Sequence, residues 1–175
     1  MKVLTIRDPW AWAIVSHAKD VENRTWRTEY TGPVLMHAAA RPAFKPSEDM
    51  KAAREWGREG FPWKDLRSRL GTIVGYARMT GCVPARECES DWAHCLEGGG
   101  GYCFLLEDRL AFREPIPLKG RLGLFDLPQE QTVAVANAFA DLGRFDLGAE
   151  VYRKAVDRMS ALRELRILPG ETDAE

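Results

Sequence analysis

From residue 2 to residue 127 the chain is cut into short apolar runs by glycine and proline, and this punctuation limits the fold more than any other feature. Residues 2–6, 34–40, 71–79, 101–107, 110–116 and 123–127 each have the β-branched or continuous apolar content of a buried strand. Asp8-Pro9, Gly32-Pro33, the prolines at 115 and 117 and Lys119-Gly120 are the turn markers between them. Gly75, inside the clearest strand, predicts a bulge or a close backbone neighbour. No strand–helix unit repeats, so five or six strands in a small mixed β-barrel fit better than a doubly wound sheet. The fold class expected is α+β.

Helical signals flank and interrupt these strands. Asp8 is placed to cap a helix that begins at Pro9 and runs to residue 17, with Trp10 and Ile14 on one face. Residues 24–30 alternate only weakly. Residues 46–70 read as a helical insertion with Ser47 at its N-cap and Trp56 and Phe61 as apolar contacts. Gly57, Gly60 and Pro62 split it into two short helices. Residues 82–101, polar and ending in glycines, read as a loop with a helical turn. Beyond Pro128 the periodicity changes: residues 130–142 and 147–168 are helical, broken at Gly143. Val151, Ala155, Met159, Leu162 and Leu165 form the apolar stripe of the second helix. This hairpin reads as an accessory packed on the barrel, or as the contact of a homodimer.

At 175 residues, 45% apolar and 29% charged, the chain has the make-up of a globular protein with a single core. It contains no apolar run of membrane-spanning length, and Arg7 and Asp8 interrupt the first apolar segment, so a cytoplasmic location and no membrane partner are expected. The four cysteines then read as free thiols. The net charge of -1 conceals a split: residues 1–80 hold 14 Lys/Arg against 9 Asp/Glu, and residues 81–175 hold 11 against 17. That permits a basic face able to steer a phosphate-bearing partner, but it lacks the heavy basic excess of a protein that grips long duplex non-specifically. Averaging of the segment charges over the surface is the plainer alternative.

The stretch from Val15 to Arg27, VSHAKDVENRTWR, concentrates the candidate chemistry. If residues 22–26 are extended, Glu22, Arg24 and Trp26 project to one side, and Glu22 can orient Lys19 or Arg24 by charge-assisted bonds. With Trp10 just upstream, the expectation is a charged cluster of Lys19, Glu22 and Arg24 at a small aromatic-walled cleft for a nucleotide-like guest. A structural ion network pinning a loop is the competing reading. His17 would gate such a cleft. His37 is either a satisfied core histidine or a cleft-facing ligand group.

Other chemistries find little support. Cys82, Cys88, His94, Cys95 and Cys103 lack the close cysteine pair of a structural zinc site, so no metal is expected. Cys103, on an apolar strand, reads as core rather than nucleophile. No nucleophile elbow is present, and the glycines at 98–101 are not followed by the lysine and helix of a phosphate loop, so no cofactor is expected.

The N-terminal part resembles the ASCH domain family, whose motif G-x-K-x-x-E-x-R aligns with His17-Ala-Lys19-Asp-Val-Glu22-Asn-Arg24. Arg7-Asp-Pro9-Trp10-Ala before it, Trp26 within reach, Gly32-Pro-Val-Leu-Met-His37-Ala after it and Pro115 to Phe125 late in the chain follow in the family's order. His17 stands in place of the motif glycine. The resemblance implies a PUA-like barrel over residues 1–127, with residues 128–175 as a helical extension. It also implies a cleft for RNA, other single-stranded nucleic acid or a small nucleotide or nucleoside, lined by Trp10, His17, Lys19, Glu22, Arg24, Trp26 and His37. Some relatives hydrolyse the acetyl amide of N4-acetylcytidine and others are ribonucleases, which would make Lys19 and Glu22 the catalytic pair. In the small amidohydrolases a threonine stands where this chain has Glu22, and the acid of a later strand has no counterpart on residues 71–79, Glu107 and Glu114 being nearest. A carboxylate beside Lys19 favours its ammonium, so Lys19 is expected as an electrostatic clamp more than as an attacking amine. Three function classes follow: a nucleotide- or RNA-binding module, a hydrolase, and a protein-interaction module acting through the C-terminal helices.

Overall fold

The computed structural model describes residues 1–44, 50–95 and 100–164. The chain divides into two compact units, Lys2–Asp126 and a second one of Met1 with Leu127–Glu175.

The larger unit is built on a curled six-stranded mixed sheet. Its strands are β1 (Lys2–Ile6), β2 (Val21–Arg24), β3 (Gly32–Ala38), β4 (Thr72–Pro84), β5 (Tyr102–Pro117) and β6 (Leu124–Asp126), in the order β2-β5-β4-β3-β1-β6. Only β1 and β3 run parallel; their connection carries α1 (Trp10–Ser16) and β2. The other neighbours are antiparallel. Helices α2 (Met50–Arg58) and α3 (Leu66–Arg69) flank the sheet's chain path between β3 and β4. The fold is α+β as expected, and the small mixed barrel expected from the turn punctuation takes the form of a curled half-barrel with β2 and β6 at its edges.

The apolar runs form the core: Val3, Leu4, Val34, Leu35, Met36, Ile73, Ala77 and Phe104 are sealed from solvent, and α1 adds Ala11, Ala13 and Ile14. Gly75 is needed where it stands, because a Cβ there would lie 2.1 Å from the Leu110 carbonyl oxygen and 2.9 Å from Val15 Cγ1. It coincides with one of the register shifts between β4 and β5. Asp8 lies one residue before the N-cap, Pro9, but its side chain still caps the first turn of α1: its Oδ1 accepts the Trp12 N–H at 3.1 Å, and its buried Oδ2 lies 2.9 Å from Arg69 Nε. Pro9 precedes the helix instead of being its first residue.

Three expectations need correction. Residues 101–107 and 110–116 belong to one strand, because Asp108 takes a left-handed φ of 44° and the ladder shifts register around it without ending. β4 continues past Met79 to Pro84, its last residues pairing with Tyr102–Phe104, where a loop was expected. β2 ends at Arg24, so the extended run considered for residues 22–26 stops there and residues 25–30 are not part of the sheet. The insertion does contain two short helices; Ser47 lies outside the described residues.

The smaller unit holds α4 (Thr132–Ala140) and α5 (Phe145–Glu164), joined through Gly143 at φ 71°. Gly148 lets the helices approach, since a Cβ there would sit 3.3 Å from the Ala136 carbonyl oxygen. Val135, Phe139, Leu147 and Val151 are buried, and Phe145, Tyr152 and Val156 are exposed. Leu165 and the end of the expected second helix lie outside the described residues. No described helix is long and apolar enough to cross a membrane.

Candidate functional site

The site starts where α1 stops. The N–H groups of both His17 and Lys19 bond back to the Ala13 carbonyl, so the chain turns sharply and sends the Lys19 side chain inward. Lys19 is 3% exposed. Its Nζ donates to the Val21 carbonyl and lies 3.7 Å from Glu22 Oε2. The other Glu22 oxygen faces Arg24 Nε at 3.3 Å, and Arg24 Nη2 donates to the Thr5 carbonyl at 2.7 Å. The alternation of β2 puts Glu22 and Arg24 on one side, as the pattern predicts, and Glu22 holds both cations at once.

Burial dominates the proton affinities of this pair. Loss of water lowers the Lys19 pKa from its ordinary 10.5, against the raising influence of Glu22. Loss of water likewise raises the Glu22 pKa from 4.5, against Lys19 and Arg24. Desolvation is thus the larger influence on both groups, and at Lys19 it opposes the attraction of Glu22 that favours the ammonium.

Above the pair opens a cavity of about 800 Å3. Trp10, Trp56 and Trp92 wall it, and His17, Lys19, Glu22 and Asn23 also line it. The Trp10 and Trp56 rings meet edge-on at 4.9 Å, while Trp56 and Trp92 lie 6.1 Å apart and tilted by 32°. Lys19 Nζ lies 6.0 Å from the centre of the Trp92 ring. His17 stacks on Trp12 with ring centres 5.4 Å apart, and its Nε2 is 3.2 Å from Glu59. Three further carboxylates, Glu55, Glu59 and Asp91, stand around the cavity with Glu22, against the one lysine. A second cavity of about 410 Å3 shares Trp10 and Glu22 with the first and is lined also by Arg7, Arg24 and Arg121.

Asn23 anchors one wall. Its Nδ2 donates to the Trp92 carbonyl at 2.9 Å, and its Oδ1 accepts the His94 N–H at 3.0 Å and the Cys103 thiol at 3.3 Å. Cys103 is buried, which pushes its thiol up to about 12, away from the thiolate a nucleophile needs. Among the described residues no three His, Cys, Asp or Glu side chains are grouped to hold a metal ion.

Of the expected site residues, the structure brings Trp10, His17, Lys19, Glu22 and Arg24 to these adjoining cavities. Trp26 is not among them: it lies past the end of β2 and packs edge-on against Phe104 at 4.9 Å, beside the core. His37 is also elsewhere, 1% exposed, with Nε2 2.8 Å from the Leu118 carbonyl oxygen and Gly120 packed against its ring. Burial lowers its pKa. Trp56, Trp92 and Asn23 were not foreseen. The one signal in the sequence was a tryptophan at position 92 in an otherwise polar segment, with no periodic apolar partners to pack against.

The sequence profile described as the ASCH domain matches residues 4–112. The crystal structure of ASCH from Zymomonas mobilis is similar to this chain with a TM-score of 0.50 and 18% identity, covering 78% of this chain and 93% of that one. A single-substitution mutant of the same protein gives a TM-score of 0.50 at 18% identity, covering 78% and 96%. At that identity the likeness shows the fold alone. No curated protein matches the chain.

Proposed function

Because the chain belongs to the ASCH domain family, we propose that its tryptophan-walled cavity binds one nucleobase, either of a free nucleoside or nucleotide or of single-stranded RNA. The observation that carries this reading is the meeting of three indoles with a buried Lys19–Glu22 pair in a single hollow of about 800 Å3. That volume suits a small-molecule site. A base offers a flat π face and an edge of donors and acceptors. The indoles supply the stacking surface, at about 1–3 kcal/mol per base. The Lys19 ammonium has three N–H groups, one spent on Val21 and one directed at Glu22; the third is available to a ring carbonyl. The surrounding carboxylates favour a single inserted base over a phosphodiester chain running through the same hollow.

Titration of tryptophan fluorescence with the four ribonucleosides and with short single-stranded RNA tests the proposal. Trp92→Ala and Trp56→Ala are each expected to weaken binding about tenfold, within the range of one lost stacking contact. Unchanged affinity in both variants, or no binding by the wild type, overturns it.

The opposed pKa displacements of Lys19 and Glu22 favour one further reading, hydrolysis of an acylated nucleoside such as N4-acetylcytidine. An amine that gives up its proton more readily, beside a carboxyl that holds its own more tightly, can move a proton to and from an attacking water. Water would add to the acetyl carbon, the C–N bond would break, and acetate and cytidine would leave. Incubation with N4-acetylcytidine followed by chromatography is expected to show cytidine, with Lys19→Met inactive. Cytidine release no faster than without protein overturns this reading and leaves binding untouched.

A further inference from the structure

We propose that the smaller cavity is a phosphate subsite, so that the preferred ligand is a phosphorylated nucleotide rather than a free nucleoside; this rests on the nucleobase reading above. The two hollows share Trp10 and Glu22 and carry opposite charge. Four carboxylates line the larger one with Lys19, whereas Arg7, Arg24 and Arg121 line the smaller one against Glu22 alone.

The sheet explains how three distant arginines meet. β1 and β6 are antiparallel with Leu4 opposite Leu124, so Arg7 and Arg121, each three residues beyond that pair, emerge at the same end of the ladder. Arg24 is tied to the same place through its bond to the Thr5 carbonyl. Of these, Arg24 already has Glu22 as a partner, while Arg7 and Arg121 have no carboxylate partner among the described residues; Arg121 lies over the Phe125 ring at 5.8 Å. Two exposed guanidinium groups brought to one opening repel each other, and an anion with several oxygens relieves that repulsion. The guanidinium fork fits phosphate oxygens two at a time, which suits a phosphate monoester or diester better than a single-point carboxylate contact. Trp10 and Glu22, common to both hollows, then mark the sugar's position between the stacked base and the phosphate.

The test compares, by fluorescence titration or calorimetry, each ribonucleoside with its 5′-monophosphate and 3′-monophosphate and with the dinucleoside phosphate. One phosphorylated form is expected to bind about tenfold or more tightly than its nucleoside, the worth of a charge-assisted hydrogen bond, and to weaken more steeply as salt is raised. The exposed pair Arg7→Ala with Arg121→Ala is expected to abolish that advantage while leaving nucleoside affinity within about twofold, with the circular dichroism spectrum confirming the fold. Nucleoside binding with no gain from phosphate, or a gain that survives in the double variant, overturns the subsite and spares the nucleobase reading. Failure of every nucleoside and nucleotide to bind overturns both.

Discussion

Glu22→Gln isolates the energetics of the site, because one neutralised carboxylate leaves two cations without their shared partner. The separations are 3.7 Å to Lys19 Nζ and 3.3 Å to Arg24 Nε. At an effective dielectric constant of about 20 each contact carries roughly 4–5 kcal/mol of gross attraction, most of it offset by the loss of hydration. Stranding one charge of a buried pair removes about 3–5 kcal/mol of stability. The lower end, about 3 kcal/mol, is expected here because Lys19 keeps the Val21 carbonyl, Arg24 keeps that of Thr5, and Lys19 can release its proton. Adding Lys19→Met to the same chain removes the stranded ammonium, so the double variant should recover at least about 1 kcal/mol relative to Glu22→Gln. The pH dependence has a defined sign. Burial holds the folded Lys19 pKa below 10.5, so between those two values the unfolded chain binds more protons and this group's contribution rises with pH. Without Glu22, whose charge raises it, the folded value drops further and the window widens downward, so Glu22→Gln should regain stability relative to wild type as pH rises from neutrality toward the Lys19 unfolded value. Urea unfolding followed by circular dichroism at several pH values measures all of this. A Glu22→Gln variant within about 1 kcal/mol of wild type, or a double variant no more stable than the single one, would refute the reasoning.

Three other substitutions separate support from recognition. Asn23→Ala should reduce nucleoside affinity about tenfold by releasing the Trp92–His94 wall, with little loss of stability; equal affinity in parallel titrations would show that the wall does not need that anchor. Trp26→Ala should do the reverse, lowering the unfolding free energy by about 1–3 kcal/mol while nucleoside affinity stays within twofold, because its ring packs on Phe104 away from the cavity. Gly75→Ala drives a methyl group into the Leu110 carbonyl oxygen and is expected to cost more than about 3 kcal/mol; an unfolding midpoint equal to wild type would contradict the close approach.

Local chemistry made much of this legible in the sequence. Glycine and proline spacing gave away the strands, and period-two alternation put Glu22 and Arg24 together before any coordinates. Trp26 was misplaced because alternation holds only while the chain stays extended, and the ladder ends at Arg24. Trp56 and Trp92 were illegible for a different reason. They arrive from far along the chain, and Trp92 is held by one bond from Asn23 that spans 69 residues. The strand break expected near Asp108 failed because one left-handed residue can absorb an irregularity that composition alone reads as a turn. The pKa directions at Lys19 and Glu22 depended on how completely the sheet excludes water, which neighbouring residue types do not reveal.

The four-residue strand Val21–Arg24 has a consequence for how such a protein can change over time. Neighbouring positions there do unrelated jobs: Glu22 and Arg24 bind each other, while Asn23 reaches the other way to hold a distant segment. Gaining or losing a single codon upstream within this strand would swap those jobs, presenting an amide where a carboxylate is required and a carboxylate where backbone groups need both a donor and an acceptor. Ligand preference can therefore drift by exchanging one side chain for another, whereas length variation at this edge is closed off.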